Sequence, residues 1–166
     1  MASAGTGIEI ERKFLVTEPP PELERCEASD IRQGYVVIAE DGSEVRVRER
    51  RGEMTLTVKR GRGRVRAEEE IELDPDAFER LWRLTEGRRL EKRRHEIGHE
   101  DLTVEVDVYA GELEGLVLAE VEFPSEDAAD EFEPPRWLGR ELTGDPRFSS
   151  QRLALEGKPP DSGGEG

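Results

Sequence analysis

Residues 8–13 read Ile8-Glu9-Ile10-Glu11-Arg12-Lys13. Extended as a β-strand, this spacing puts Glu9, Glu11 and Lys13 on one face and the isoleucines on the other. Two carboxylates about 7 Å apart on one face repel. Such a pair becomes useful when a cation sits over it, and a divalent metal is the first candidate. The chain repeats the arrangement. Arg46 and Arg48 flank Val47, and Thr55, Thr57 and Lys59 alternate with Met54, Leu56 and Val58. Arg66, Glu68 and Glu70 follow one another at two-residue steps, as do Lys92 and Arg94. Glu105 and Asp107 alternate with Val104, Val106 and Val108, and Glu120 and Glu122 with Val121 and Phe123.

Each of these segments has one apolar and one charged face. An ordinary half-buried sheet with solvated charges outside would give the same alternation. Two features point to the opposite arrangement. The charges are sorted by strand, two of one sign at a time, and carboxylates and guanidiniums fill slots where Thr, Ser or Gln would serve a simple exposed face. In the second reading the apolar faces point outward under helices and the charged faces line a lumen. Lys13, Arg46, Arg48, Lys59, Arg66, Lys92 and Arg94 would then oppose Glu9, Glu11, Glu68, Glu70, Glu105, Asp107, Glu120 and Glu122. Such a space cannot stay dry with its charges unpaired. Basic groups at several depths suit successive phosphates, and carboxylates suit Mg²⁺ or Mn²⁺ bridging to phosphate oxygens. A linear triphosphate fits that layout.

The elements that must position these residues are short and antiparallel. Eight strands are predicted at 8–16, 31–38, 44–51, 53–60, 65–73, 88–97, 102–109 and 116–123. Asp41-Gly42 and Arg51-Gly52 mark tight joins, Gly61 and Gly63 another, and Gly111 and Gly115 bracket the last. Asp74 as cap, Pro75 at the first position and Gly87 as stop delimit one helix, with Phe78, Leu81 and Trp82 as a packing stripe. A second short helix is predicted to start at Ser125. A third runs from Pro146 to Leu155, with Phe148, Arg152 and Leu155 on one side. The fold class is α+β: an eight-stranded, closed antiparallel barrel with a charged lumen and a few peripheral helices.

Composition sets the outer limits. The 166 residues suit one domain, expected over 1–156, with 157–166 a disordered tail rich in Gly and Pro. A net charge of −15 argues against a general nucleic-acid binder. No run of about 18 apolar residues is present, so no membrane partner is expected. The N-terminal residues lack signal-peptide character, and Cys26 is the only cysteine, which fits the cytoplasm. A homodimer is compatible with the sequence.

Glu9-x-Glu11-x-Lys13 resembles the signature of the CYTH superfamily, the triphosphate tunnel metalloenzymes. The resemblance continues through Arg46-x-Arg48, Lys59, Arg66-x-Glu68-x-Glu70, Lys92-x-Arg94, Glu105-x-Asp107 and Glu120-x-Glu122, covering about residues 8–155. Glu86-Gly87-Arg88-Arg89 and Ser125-Glu126-Asp127-Ala128-Ala129 further resemble the short bacterial members that hydrolyse inorganic triphosphate. The resemblance implies a metal held by Glu9, Glu11, Glu120 and Glu122, with Asp107 nearby. It implies phosphates gripped by Arg46, Arg48, Lys59, Lys92, Arg94 and Arg66. Glu68 and Glu70 would orient basic residues or a second metal, and Lys13 would contact substrate or position the attacking water. One stretch departs from the pattern. Related members often carry Tyr followed by Asn in the C-terminal helical segment; here it reads Arg147-Phe148-Ser149-Ser150-Gln151-Arg152, so a phenol or amide contact from this segment is expected to be lost.

The expected activity is metal-dependent hydrolysis of a triphosphate, with Lys13, Glu68 and Glu70 as catalytic candidates and Mg²⁺ or Mn²⁺ as cofactor. An adenylate cyclase of the class IV type, a thiamine or nucleoside triphosphatase, and a non-catalytic polyphosphate-binding module are the alternatives. The cyclase needs a nucleobase pocket, and the sequence shows none. Lys59-Arg60-Gly61-Arg62-Gly63-Arg64 reads as a mobile hairpin tip rather than a nucleic-acid patch. His95 and His99 fall in strand and turn, not at helical metal spacing. Cys26 has no neighbouring base, and Trp82 and Trp137 read as packing.

Overall fold

A computed structural model describes residues 6–162. Eight antiparallel strands close into a barrel: β1 (Thr6–Leu15), β2 (Ala28–Ile38), β3 (Glu44–Arg50), β4 (Glu53–Arg60), β5 (Val65–Glu72), β6 (Arg89–His99), β7 (Leu102–Tyr109) and β8 (Val117–Glu122). The order around the barrel is β1-β5-β4-β3-β2-β6-β7-β8, so β1 is the staple between β5 and β8. Closure removes every open edge. The first half of β1 pairs with β5 and the second half with β8, which sets Glu9 opposite Arg66, Glu11 opposite Glu122 and Lys13 opposite Glu120.

Local chemistry explains the joins. The β3–β4 turn has φ of 53° at Arg51 and 79° at Gly52, the left-handed pair that a two-residue hairpin turn needs. Gly34 on β2 has no room for a side chain: a Cβ there would lie 2.5 Å from the Thr85 hydroxyl, so glycine lets the turn after the first helix lie against the strand.

Three helices flank the barrel. In α1 (Pro75–Trp82) the Asp74 carboxylate accepts from the Ala77 amide, a cap that contributes about 1 kcal/mol. Its stripe packs as expected: Phe78 is fully buried and stacks on Trp82 at 5.4 Å, and the Arg32 guanidinium lies over both rings. In α2 (Glu126–Glu131) Ser125 caps Ala128. This helix and the chain after it cover the outer faces of β1, β7 and β8, burying Phe14, Val104, Val106, Val121, Phe123, Phe132 and Leu138. Arg12, outward on β1, fastens this layer: it donates to the Ala129 and Phe132 carbonyls and makes a two-pronged pair with Glu141 at 2.7 and 2.9 Å.

Two expectations need correction. The outward apolar faces are covered only in part. Ile8, Val37, Val65 and Ile71 are 65, 53, 38 and 53% exposed. The third helix is broken: a 3-10 turn at Pro146–Phe148 is followed by extended Ser149, which caps α3 (Ser150–Glu156). The break rotates the buried face to Phe148, Gln151 and Leu153 and leaves Leu155 exposed. Of the stretch read as a disordered tail, residues 157–162 are described; Lys158 donates to the Glu114 carbonyl, and Asp161 pairs with Arg140 and Arg147. Residues 163–166 lie outside the described residues, as do residues 1–5.

Candidate functional site: a charged lumen closed at one end

The alternating strand residues point inward and enclose a cavity of about 290 Å³. Ten basic and nine acidic side chains line it, so the lumen is close to neutral while the chain as a whole carries −15. The acidic excess therefore lies outside. One end of the barrel is sealed. Leu15, Leu90, Tyr109 and Leu118 continue the inward rows and pack with Leu142, Phe148 and Leu153. The C-terminal segment thus closes this end, through a phenyl ring instead of a phenol. An amide is supplied after all: Gln151 Nε2 donates to the Gly42 carbonyl at 2.8 Å and to Glu44 at 3.0 Å. The expected loss of an amide contact is wrong because the broken helix turns Gln151 inward.

Thirteen of the candidate residues line the cavity: Glu9, Glu11, Lys13, Arg46, Arg48, Lys59, Arg66, Glu68, Glu70, Lys92, Arg94, Glu120 and Glu122. Asp107 does not. It is 1% exposed behind the lining, bound by Lys92 at 2.8 Å and by both prongs of Arg94 at 2.8 and 2.9 Å. Both of its oxygens are committed to cations, so its place is that of an anchor for Lys92 and Arg94. Burial opposes its ionisation, but those two partners hold its carboxyl below the ordinary range. Burial brings the Lys92 ammonium down to about 8 although Asp107 supports the charge.

The junction of β1, β5 and β8 is different. Glu9 is held by Lys59 at 2.8 Å and lies 3.8 Å from Arg66; burial works against its charge, but Lys59 and a hydrogen bond with Glu68 keep it at about 2. Glu68, pushed up by burial and by that same bond, reaches about 7. Glu120 is burdened by burial, yet Lys13, Lys92 and Arg94 hold it well below the usual range. Lys13 lies 3.4 Å from Glu120 and donates to the Phe148 carbonyl at 3.0 Å. Glu11 has no cation within ion-pair distance among the described residues. Burial, then the charges of Glu120 and Glu9, raise it to about 7. Glu122, across from it in register, is raised by burial and by Glu9 and Glu105. Glu70 accepts from the Thr57 hydroxyl at 3.1 Å.

These carboxylates fit a hard divalent cation. Like charges set directly opposite each other cost stability, and among the described residues neither Glu11 nor Glu122 has a cation within ion-pair distance. Among the described residues no three His, Cys, Asp or Glu side chains converge as a ready-made cage. A small hard divalent cation needs no such cage, because it keeps several waters and is held by one or two carboxylates plus substrate phosphates.

Some lining residues were missed from the sequence. Glu44 and Arg50 sit at the ends of the Arg46-x-Arg48 row, and the alternation there could have placed both. Gln33 and Tyr35 on β2 are fully buried and face inward beside Arg48 and Arg46. Their neutral side chains carried no charge signal. The basic hairpin tip is anchored instead of mobile: Arg62 donates to the Glu40 carbonyl and Arg64 to Asp130. Its flanks feed Lys59 and Arg66 into the lumen, as expected.

A closed eight-stranded antiparallel barrel whose lumen carries facing acidic and basic rows is the architecture that the resemblance to the CYTH superfamily implies. No family model matches the chain. A curated inorganic triphosphatase of Nitrosomonas europaea is 48% identical over 149 residues, covering 89% of this chain and 97% of that protein. One of Acetivibrio thermocellus is 42% identical over 151 residues, covering 89 and 93%. The crystal structure of an inorganic triphosphatase superposes with a TM-score of 0.65 at 43% identity, covering 96% of this chain and 99% of that one. The chain belongs to the inorganic triphosphatase family.

Proposed function

We propose that this protein hydrolyses inorganic triphosphate to pyrophosphate and phosphate, with Mg²⁺ or Mn²⁺ as cofactor. The observation that carries the choice of substrate is the lining. The cavity is small, about 290 Å³, and none of its lining side chains is aromatic, so nothing stacks a nucleobase. The curated relatives named inorganic triphosphatase support the same reaction.

In this reading Arg46, Arg48, Lys59, Arg66, Lys92 and Arg94 bind the phosphates and offset charge on the transferred phosphoryl and leaving groups. Glu9, Glu11, Glu120 and Glu122 would hold the metal, which when bound neutralises phosphate oxygens and polarises the terminal phosphorus. Asp107 keeps Lys92 and Arg94 in place. Lys13, fixed between the Phe148 carbonyl and Glu120, orients the terminal phosphate. A water attacks the terminal phosphorus in line, and the bond to the bridging oxygen breaks. Glu68, which titrates near 7, takes the proton lost by the water. Glu70, tethered by Thr57, orients the neighbouring basic side chains. The free thiol of Cys26 suits a reducing compartment, and the reading places the protein in the cytoplasm.

The test is phosphate release from inorganic triphosphate, ATP and thiamine triphosphate, with Mg²⁺, Mn²⁺ or EDTA, while the ATP reaction is assayed for cyclic AMP. Release from inorganic triphosphate that EDTA abolishes is expected. Cyclic AMP as the main product would replace this reading with the cyclase, and silence on every substrate would leave a binding module.

A further inference from the structure

Nearly every strand-borne cation in the lumen is tied to a carboxylate: Lys13 to Glu120, Arg50 to Glu96, Lys59 and Arg66 to Glu9, Lys92 and Arg94 to Asp107. Arg46 and Arg48 are the exceptions, with no carboxylate within ion-pair distance among the described residues. Arg48 is nonetheless held firmly. Its Nε and Nη2 donate to Gln33 Oε1 at 3.1 and 2.9 Å, and Gln33 Nε2 donates to the Tyr35 hydroxyl at 2.8 Å. Gln33 and Tyr35 are both fully buried.

A carboxylate and a carboxamide have nearly the same shape, and a glutamate at position 33 could hold the same guanidinium fork. It would also cancel the charge. The amide fixes the fork and leaves the positive charge available. We propose that Gln33 is a positioning residue that orients Arg48 as an uncompensated cation for a substrate phosphate. The proposal rests on the reading of the lumen as a triphosphate site. Neighbouring charges sharpen the role: burial and the charges of Arg46 and Arg94 oppose the Arg48 guanidinium, and the Gln33 acceptor offsets part of that cost.

The experiment compares wild type, Gln33→Glu and Gln33→Met by thermal unfolding, by calorimetric binding of inorganic triphosphate to metal-free protein, and by KM and kcat. Gln33→Glu keeps both hydrogen bonds from the Arg48 fork, reverses the bond with Tyr35 so that the hydroxyl donates, and gains an ion pair. Its melting temperature is expected to stay at or above wild type while Kd and KM rise about tenfold and kcat changes by less than about threefold. Gln33→Met keeps the charge of Arg48 but frees its fork, and Kd rises about threefold. Gln33→Glu with wild-type Kd and KM would overturn the proposal. If Gln33→Glu does not fold, wild-type Kd in Gln33→Met overturns it, and a weakened Kd supports it. A wild type that binds triphosphate without releasing phosphate would refute the hydrolytic reading while leaving the role of Gln33 standing.

Discussion

Two walls of one lumen carry similar charges and treat them in opposite ways. On the β6–β7 wall, Lys92 and Arg94 share the one carboxylate of Asp107, and all three are almost wholly buried. Where β1 meets β8, register sets Glu11 beside Glu122, and neither has a cationic partner among the described residues. The first wall is finished as a framework and keeps one positive charge for a phosphate. The second is stable only as far as the rest of the barrel forces it, and a cation would relieve it. A charge already paired in the lumen also anchors its neighbours, whereas an unpaired one depends on a ligand for its partner. Arg46 and Arg48 make the same point with the opposite sign.

The largest effect is expected at the unrelieved wall. Glu11→Gln removes like-charge repulsion and a proposed metal ligand together, so triphosphate hydrolysis should fall roughly a hundredfold or more while the melting temperature of metal-free protein holds or rises. A Glu11→Gln protein with full metal-dependent turnover would break the comparison. At the finished wall the pattern reverses. Asp107→Asn leaves two buried cations short of their partner and should cost about 3–5 kcal/mol in urea unfolding. A loss below about 1 kcal/mol would show that the wall does not depend on the pair.

The same contrast gives metal-free protein an unusual pH profile. Glu11 and Glu68 titrate near 7 in the fold, so between about 4.5 and 7 the native state holds protons that the unfolded chain has lost. Stability should fall as pH rises through that window, and saturating Mg²⁺ should flatten the slope. Glu9 and Asp107, held low, contribute fully there and lose their contribution only as pH drops below the ordinary carboxylate range. Stability that rises from pH 5 to 7 without metal would contradict the assignment. A smaller effect is expected outside the lumen, where Arg12→Ala unfastens α2 from β1 at a cost of about 1–2 kcal/mol, measured by the same unfolding.

The barrel was legible because charged residues repeat every second position and turn residues separate them. The lumen was legible wherever a charge marked the inward row. It was illegible wherever that row changed chemistry. Leu15 and Leu118 face each other in register and continue the rows that hold Lys13 and Glu120, yet as apolar residues they read as outward. They are inward because the C-terminal segment plugs that end. Gln33 and Tyr35 were hidden for the same reason. Asp107 carried the right charge at the right spacing, but only the fold shows that Lys92 and Arg94 already occupy it.

The most direct test of the division between the two walls is calorimetric titration of Mn²⁺ into wild-type, Glu11→Gln and Arg48→Met proteins without substrate. The expected result is binding weakened at least about tenfold in Glu11→Gln and unchanged in Arg48→Met. Equal Mn²⁺ affinity in wild type and Glu11→Gln would contradict the account.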